Sequence, residues 1–476
     1  MIQLGKRTPC ALLVTAALGV SGNVLAQPAP APEPAPAPAN PEPANPPTDQ
    51  PPSNPANPAN PPAPGAPPVA AQPPVPAPTP PPASTGFPTM AGPALKLSDL
   101  FTIRFGVFTQ IWASFVQDVF KQSNGDAGDF ARNVYLRRAR FFLGGTILSP
   151  NLTYFMLWES ANNGAPVVDA TGALSKQNNV FVFNDAYLDF KINPNVSVQA
   201  GLFLLPFTRN ILQSTSTYWA LDIGGVSASY IAATQTTTLR DYGAAIKINA
   251  VENHFELRGM VTEGVRLADT TGSSAGTALP PTARNAGKNN PRLTAFAQYN
   301  FLDPDTGYVF NGQYFGRKKI AAIAAGVDFQ AVNSDNPYFA TSLTAAAAIP
   351  IHGADPKNGD DEVGGQVEYL HFHGGRTGTP PAGLLKQDAA LVELGYYNKA
   401  AKISVFGKFE GRFYDDAFKT NNLRIYGVGL KYFIAEQIAN LTLMYSLTQF
   451  PDLAETTAAV RNDSNALQLQ LQVGYF

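Results

Sequence analysis

The stretch "ALQLQLQVGYF", residues 466–476, alternates apolar and polar side chains and closes the chain. Successive side chains of a β-strand point to opposite faces, so the leucines share one face with Val473 while the three glutamines share the other. An antiparallel sheet on a soluble core gives this pattern, and so does a membrane barrel with lipid outside and water inside. The rest of the sequence decides between the two.

The first residues predict the cellular compartment. Lys6 and Arg7 precede an apolar run over 11–20, and small side chains stand before Gln27, which together predict a secretory signal peptide over residues 1–26. The run is shorter than the roughly 20 apolar residues that a membrane anchor needs. Cys10 is the only cysteine and lies in this leader. We therefore expect a mature protein without disulfides, a thiol nucleophile or a cysteine metal site.

Residues 27–93 form a segment rich in Pro, Ala and Asn that holds 28 of the 43 prolines. Such a composition favours an extended polyproline II chain of about 3.1 Å per residue. We expect a disordered linker, and the alternative is a periplasmic tether that contacts the cell wall, for which no binding motif is visible.

The remaining residues, 94–476, contain no apolar run long enough for a transmembrane helix. The formal net charge is −2 and no basic stripe indicates a nucleic-acid partner. A secreted chain with many aromatic residues and no long hydrophobic segment leaves the β-barrel as the membrane option.

Alternating stretches of about ten residues, separated by turn residues, indicate sixteen strands. Short turns alternate with long loops rich in Gly, Ser, Thr and Asn, as in bacterial outer-membrane barrels. The fold class is therefore predicted as all-β, a transmembrane antiparallel β-barrel over residues 94–476. The connections 304–318 and 351–362 are long for periplasmic turns, and the first has room for an extra strand. The predicted strands span 102–117, 132–148, 151–160, 181–193, 195–206, 239–250, 253–264, 292–303, 319–331, 339–350, 363–373, 388–399, 401–414, 422–435, 438–449 and 465–476.

The last strand is expected to close the barrel against the first. Its terminal aromatic residue resembles the signal that the outer-membrane assembly machinery reads. Tyr475 is in phase with the leucines and Phe476 is not. A bulge at Gly474 would restore the phase.

Charged residues opposite the apolar face are predicted to line the interior, because a charge facing lipid costs roughly 2–4 kcal/mol for Arg or Lys. The count gives eleven cations against seven anions, which predicts a weak preference for anions. For each single residue the alternative is an ion pair that holds the wall in register. The cations are Arg104, Arg138, Arg140, Lys191, Lys247, Arg258, Arg292, Lys402, Lys408, Arg412 and Lys431, and the anions are Asp185, Asp189, Asp241, Glu256, Glu368, Glu393 and Glu410.

Nothing in the sequence predicts an enzyme or a cofactor. No local motif joins a Ser to one of the four histidines. His371 and His373 share a strand face, but no third ligand accompanies them. The acidic stretches at 303–307 and 355–362 do not match a calcium-loop spacing.

Four stretches resemble the phosphate-selective porin O and P family. They are "LRRARFFLGGTI" (136–147), "NDAYLDFKINPNVSVQAGLFLLPFTRN" (184–210), "RDYGAAI" (240–246) and "RIYGVGLKYFIAEQIANLTLMYS" (424–446). They occur in the family's order over most of 95–476.

The resemblance implies a sixteen-stranded trimeric outer-membrane channel for anions, phosphate in the named members. It implies that Arg137, Arg138 and Arg140 are wall cations, and it assigns Arg209 and Arg240 to the constriction loop and its mouth. Two departures weaken phosphate selectivity. The expected constriction loop, 207–238, holds only Arg209, and Leu204 replaces a lysine that relatives often carry.

The sequence therefore predicts a passive porin in the outer membrane of a Gram-negative bacterium. Its expected partners are membrane lipid, small anionic or neutral solutes such as phosphate, two further copies in a homotrimer, and the cell wall through the linker, with no nucleic acid. The alternative is an anchor, in which the barrel tethers the proline-rich arm with little or no transport.

Overall fold

A computed structural model of the chain describes most of the predicted barrel. The predicted signal peptide and proline-rich segment lie outside the described residues. Within the described part, no helix is both long and apolar enough to cross a bilayer. The described ranges are 94–122, 125–161, 167–168, 174–175, 181–228, 239–264, 290–331, 337–374, 386–452 and 463–475.

The described chain forms a wall of sixteen long strands. A short strand, Leu95–Ser98, pairs antiparallel with the start of the first wall strand. Short elements outside the wall are the strands Val167–Val168 and Leu174–Ser175, helix α1 (Gly225–Ala228) and the 3₁₀-helix Asp416–Asn421. The wall strands are β1 (Phe101–Gln117), β2 (Phe130–Ile147), β3 (Ser149–Ala161), β4 (Val182–Asn193), β5 (Val196–Leu204), β6 (Arg240–Ala250), β7 (Phe255–Thr262), β8 (Arg292–Asn300), β9 (Ile320–Gln330), β10 (Tyr338–Pro350), β11 (Glu362–Gly374), β12 (Gln387–Asn398), β13 (Ile403–Tyr414), β14 (Leu423–Ala435), β15 (Ala439–Gln449) and β16 (Ser464–Tyr475).

The sheet closes on itself. Each strand pairs antiparallel with the next one along the chain, and β16 pairs with β1, where Gln472 lies opposite Gln110. Closure removes the exposed sheet edges that an open sheet would leave. The predicted fold class, a closed antiparallel barrel of sixteen strands, is confirmed.

Two possibilities that the sequence left open are not realised. Within the described residues, the connection 304–318 contains no strand, only an isolated bridge between Phe310 and Gln213. This connection turns inward and pairs with an interior loop instead of joining the wall. The possible bulge at Gly474 is also absent, because the pairing of β16 with β1 continues without a shift to Tyr475. Phe476 lies outside the described residues.

The two faces of the wall differ as the alternation predicts. On β16, Leu469 and Leu471 are 44% and 37% exposed on the outer face, whereas Gln470 and Gln472 are 1% exposed on the inner face. The same rule holds for β1, where Val107 and Ile111 are exposed and Gln110 is buried. The outer face is therefore the apolar surface that meets lipid.

The connections differ between the two ends of the barrel. Short turns at 194–195, 251–254 and 399–402 lie at one end, and longer connections such as 415–422 lie at the other. In outer-membrane barrels the short turns face the periplasm. We call that end the periplasmic end.

Two connections fold into the barrel interior. The first, residues 205–228, is called the inner loop, and the second, residues 301–319, enters from the periplasmic end and is called the inserted turn. They bring large apolar side chains inside, among them Phe207, Trp219 and Phe310, each at most 1% exposed. The interior thus has an apolar core of its own, which a strictly polar lining would not provide.

Candidate functional site in the barrel interior

A cluster of arginines stands on β2 where the wall meets the inner loop. Arg138 and Arg140 are two residues apart, so their side chains share the inner face. A register shift opposite Gln110 lets Arg137 reach the same loop. Asp222 of the inner loop accepts hydrogen bonds from Nη2 of Arg137 and Nη2 of Arg138, both at 2.7 Å.

Glu159 on β3 completes this cluster. Its carboxylate lies 3.1 Å from Nε of Arg138 and 2.9 Å from Nη2 of Arg140. Arg140 also donates to the Thr215 hydroxyl of the inner loop at 2.7 Å. The arginines therefore join the wall to the inner loop at two points, Thr215 and Asp222.

The Asp222 carboxyl is ionised in this setting. Burial alone would raise its pKa, but the guanidinium groups of Arg138 and Arg137 outweigh burial and hold the pKa well below its usual range. The inner loop is thus attached to β2 by a full negative charge facing two positive ones.

A second charged group lies on β4, β6 and β7. Nη2 of Arg240 contacts Asp185 at 2.9 Å. Glu256 pairs with Lys247 at 2.9 Å and with Arg258 at 2.6 Å. These pairs hold neighbouring strands in register, and they also face the inserted turn.

Arg209 does not face open space. Its side chain is 2% exposed and pairs with Asp305 of the inserted turn at 2.8 Å. Its guanidinium also donates to Gln298 on β8 at 2.8 Å and lies 4.5 Å from the centre of the Phe310 ring. Arg209 therefore connects the inner loop to the inserted turn and the wall.

The far wall holds the inner loop through β11 and β13. Glu368 accepts hydrogen bonds from the Ser227 hydroxyl at 2.6 Å and from the Asn210 amide at 3.2 Å. On β13, Arg412 donates to the carbonyl of Gly225. The loop is thus fixed on both sides of the interior.

The polar face of β16 also fixes the inner loop to the wall. Gln472 accepts a hydrogen bond from Gln110 across the closing seam at 3.0 Å and donates to the carbonyl of Ser216 at 3.1 Å. Gln470 accepts from the Trp112 indole at 2.7 Å. The glutamines of the C-terminal strand therefore link the last strand, the first strand and the inner loop.

Two glycines allow the close packing of the inner loop. A Cβ at Gly395 would lie 2.3 Å from the Trp219 ring, and a Cβ at Gly326 would lie 2.0 Å from the carbonyl oxygen of Phe207. Both distances are shorter than any real carbon contact, so a side chain at either position would displace the loop.

The structure places the sequence candidates as follows. Arg138, Arg140, Asp185, Asp189, Arg258, Lys408 and Arg412 lie on the inner face, and all but Asp189 have an ion pair or hydrogen bond described for their side chain. Arg104 is exposed near the periplasmic end, and Lys191 is half-buried on the inner phase of β4. Arg240 is the first residue of β6 and does not belong to the loop itself.

The sequence count missed eight interior charges. Alternation on β9 would have found Asp328, which stands between the outward Val327 and Phe329. Lys402, counted as lining, instead lies in an exposed turn. With these corrections the described residues show an excess of one cation, not four. The missed charges are Glu159, Asp222, Asp305, Asp328, Glu362, Arg137, Arg209 and Arg240.

The two side chains of an interior ion pair are not equally exposed, so a count of charges does not describe what a passing ion meets. The Arg240 side chain is 13% exposed and that of its partner Asp185 is 1% exposed, and Lys247 is 10% exposed beside a fully buried Glu256. In the β2 cluster, Arg138 and Arg140 are 9% and 11% exposed and Glu159 is 4% exposed. Asp222 departs from this pattern, because it is 16% exposed beside Arg138 at 9%. In most of these pairs the cation is more exposed than the carboxylate.

The described residues contain no group of three His, Cys, Asp or Glu side chains that could hold a metal ion. His371 points outward and contacts Asp388 at 2.8 Å.

Comparison with known proteins agrees with this architecture. The family description "Phosphate-selective porin O and P" matches residues 105–335. Among curated proteins, none shows significant sequence similarity to the chain. OprB of Pseudomonas putida is 9% identical over 78% of this chain and 94% of its own, with a TM-score of 0.53, which shows the shared fold.

Two further solved structures are similar at lower scores. An anion-selective porin from Comamonas acidovorans is 11% identical, with 78% of this chain and 99% of its own covered and a TM-score of 0.47. The channel DcaP of Acinetobacter baumannii is 13% identical, with 82% and 100% covered and a TM-score of 0.46. The closed barrel and the matched sequence lead to one conclusion: the chain is an outer-membrane β-barrel, and residues 105–335 of it are similar to the phosphate-selective porin O and P family of Gram-negative bacteria.

Proposed function

We propose that the protein is a passive porin for small hydrophilic solutes with a weak preference for anions. The observation that carries this proposal is the unequal exposure within interior ion pairs, where the side chains of Arg240 and Lys247 are 13% and 10% exposed and those of their carboxylate partners are at most 1% exposed. A mobile ion meets the exposed charge first, and the field of such charges raises the local concentration of anions.

The preference is weak because the arginines are already paired. A tight phosphate site needs several guanidinium or ammonium groups that converge on one anion. Arg137, Arg138 and Arg140 instead face Asp222 and Glu159 at 2.7–3.1 Å. A phosphate would have to displace these carboxylates, so phosphate is expected to pass without tight binding.

Reversal potential in a salt gradient tests the proposal. We expect a modest anion preference and little change in chloride current when millimolar phosphate is added. A cation-selective current contradicts the anion preference, and a strong phosphate block contradicts the weak binding. The experiment needs low salt, because the Debye length is about 10 Å at 0.1 M and shorter above it.

A second function has one observation in its favour. The inner loop and the inserted turn cross the interior and bury aromatic side chains such as Phe310 and Trp219. A barrel filled in this way without conduction would serve as an anchor for the proline-rich arm. Conductance of the purified protein separates the two functions.

The ends and the assembly are part of the same proposal. Residues 1–26 act as a signal peptide, residues 27–93 as a spacer toward the cell wall, and three copies assemble in the membrane, as the family resemblance implies. Sequencing of the purified protein is expected to begin at Gln27, and cross-linking is expected to give a trimer. A purified protein that still begins at Met1 contradicts the signal peptide. A protein that cross-links only as a monomer contradicts the trimer.

A further inference from the structure

The inserted turn begins with an ordinary hairpin base. Phe301 donates its amide to the carbonyl of Ala321 at 2.8 Å, and Asp303 donates to the carbonyl of Lys319 at 2.9 Å. The Lys319 amide in return donates to the Asp303 carboxylate at 2.8 Å. The pairing of β8 and β9 is thus extended to residues 303 and 319, and only residues 304–318 enter the interior.

One side of the inserted turn is bound to β4, β5 and β7. The Tyr308 hydroxyl donates to Asp185 at 2.8 Å and accepts from the Leu204 amide at 3.0 Å. Arg258 donates to the carbonyls of Gly307 and Tyr308, both at 2.8 Å. Two cationic side chains and a carboxylate of the wall are therefore committed to holding this turn, since Lys247 also donates to Gly307.

The other side of the inserted turn is bound to the opposite wall. Glu362 of β11 accepts the amides of Tyr314 at 3.1 Å and of Gly316 at 2.8 Å. The Phe315 ring meets the rings of Tyr397 and Phe433 edge to face, each at 5.0 Å between centroids. Because it contacts β4–β7 and β11–β14, the turn crosses the interior and does not merely line one side.

The inserted turn is also joined to the inner loop. Phe310 donates its amide to the carbonyl of Leu212 and accepts from the Ser214 amide, both at 2.8 Å. Its ring lies between two guanidinium groups, 4.5 Å from Arg209 and 5.2 Å from Arg258. Phe310 is fully buried, so the two interior segments pack as one unit.

We propose that the inserted turn is a second barrier, in series with the inner loop, that limits the conductance and the size of solute that passes at the periplasmic end. This inference rests on the channel function proposed above. Resistances in series add, and the narrowest section dominates them. A segment bound to both walls removes cross-section that the inner loop alone would leave open.

The test replaces Pro304–Lys318 by the dipeptide Asn-Gly. The base formed by Asp303 and Lys319 is kept, and Asn-Gly suits a two-residue hairpin turn. The freed side chains, such as Glu362, meet water once the turn is gone, so they are not left buried without partners. We expect a several-fold rise in single-channel conductance and passage of larger neutral sugars.

A point variant supplies an independent measurement if the shortened protein does not fold. Phe310→Ala removes the ring between the two guanidinium groups and is expected to raise conductance in the same direction by a smaller factor. Arg317→Gln with Glu436→Gln is the matched control, because this exposed pair joins the end of the inserted turn to the turn between β14 and β15 and does not lie in the interior. The control is expected to conduct like the unchanged protein.

The outcomes separate the two proposals. A higher conductance of the shortened variant than of the unchanged protein supports the second barrier. If the unchanged protein conducts nothing and the variant conducts, the second barrier is still supported, but the passive porin function is wrong. Equal conductance of the folded variants and the unchanged protein overturns the second barrier and leaves the channel intact. No conductance from any folded variant overturns both.

Discussion

At the scale of single residues, the interior depends on which member of each ion pair reaches open space. Arg138 and Arg140 have side chains that are 9% and 11% exposed, and Glu159 between them is 4% exposed. The carboxylate is therefore screened from a passing ion by the guanidinium groups. The exposed cations, more than the net count, are expected to set ion preference.

Replacing Arg138 and Arg140 together with glutamine should lower the preference for anions. A unit charge about 4 Å from an ion in water contributes roughly 1 kcal/mol, so the loss of two charges changes the permeability ratio several-fold. The replacement also uncovers Glu159, which acts in the same direction. The measurement is reversal potential in a potassium chloride gradient at low ionic strength.

The matched control removes the same charge from the outer face. Arg132 and Arg424 lie on outward phases of β2 and β14, opposite Phe115 and Gly411. Arg132→Gln with Arg424→Gln is expected to leave the reversal potential unchanged. An equal shift in the control and in the interior variant would mean that general surface charge, not the β2 cluster, sets selectivity.

At the scale of elements, the wall could be predicted from sequence and the interior could not. Alternation is a local signal with a period of two, so the sixteen strands and their facing residues follow from it. The partners of Asp222 and Asp305 are 85 and 96 residues away, respectively. Their pairing depends on how two connections fold inside a closed wall, which no local pattern encodes.

The position of the inserted turn also could not be predicted from a local sequence pattern. The connection 304–318 is long for a periplasmic turn, so its length left room for an extra strand. In the structure these residues pair with the inner loop and with both walls instead. Burial of Phe310 in the interior outweighs the local preference for a strand in the wall.

The attachment of the inner loop to β2 should fail in an Asp222→Asn variant. Hydrogen bonds to charged groups contribute roughly 1.5–3 kcal/mol each, and the variant keeps the oxygen but loses the charge. Arg137 and Arg138 then face the interior without a neutralising partner in the loop. We expect a stronger anion preference and a noisier single-channel current.

The pH dependence of the unchanged protein follows from the lowered pKa of Asp222. A carboxyl whose pKa is lower in the folded state contributes stability above its unfolded pKa of about 3.9 and loses it as pH falls through the folded value. The attachment should therefore persist from neutral pH down to about pH 4. A rise in anion preference already between pH 7 and pH 5 in the unchanged protein, but not in Asp222→Asn, would contradict this assignment.

At the scale of the whole molecule, the closed wall provides the passage and the two interior segments restrict it. The outer face is apolar and the inner face is charged, so the barrel has the surfaces of a membrane channel. The inner loop is fixed to β2, β11, β13 and β16, and the inserted turn crosses beneath it. A narrow, weakly anion-preferring channel is the behaviour that this arrangement predicts.

The most direct test of the account is the ion conductance of the purified full-length protein in a planar bilayer. We expect discrete single-channel steps that are small for a sixteen-stranded barrel, because two segments occupy the interior. Folding is verified in the same sample by the shift in gel mobility on heating. A folded, inserted protein that gives no conductance steps would contradict the channel and favour the anchor.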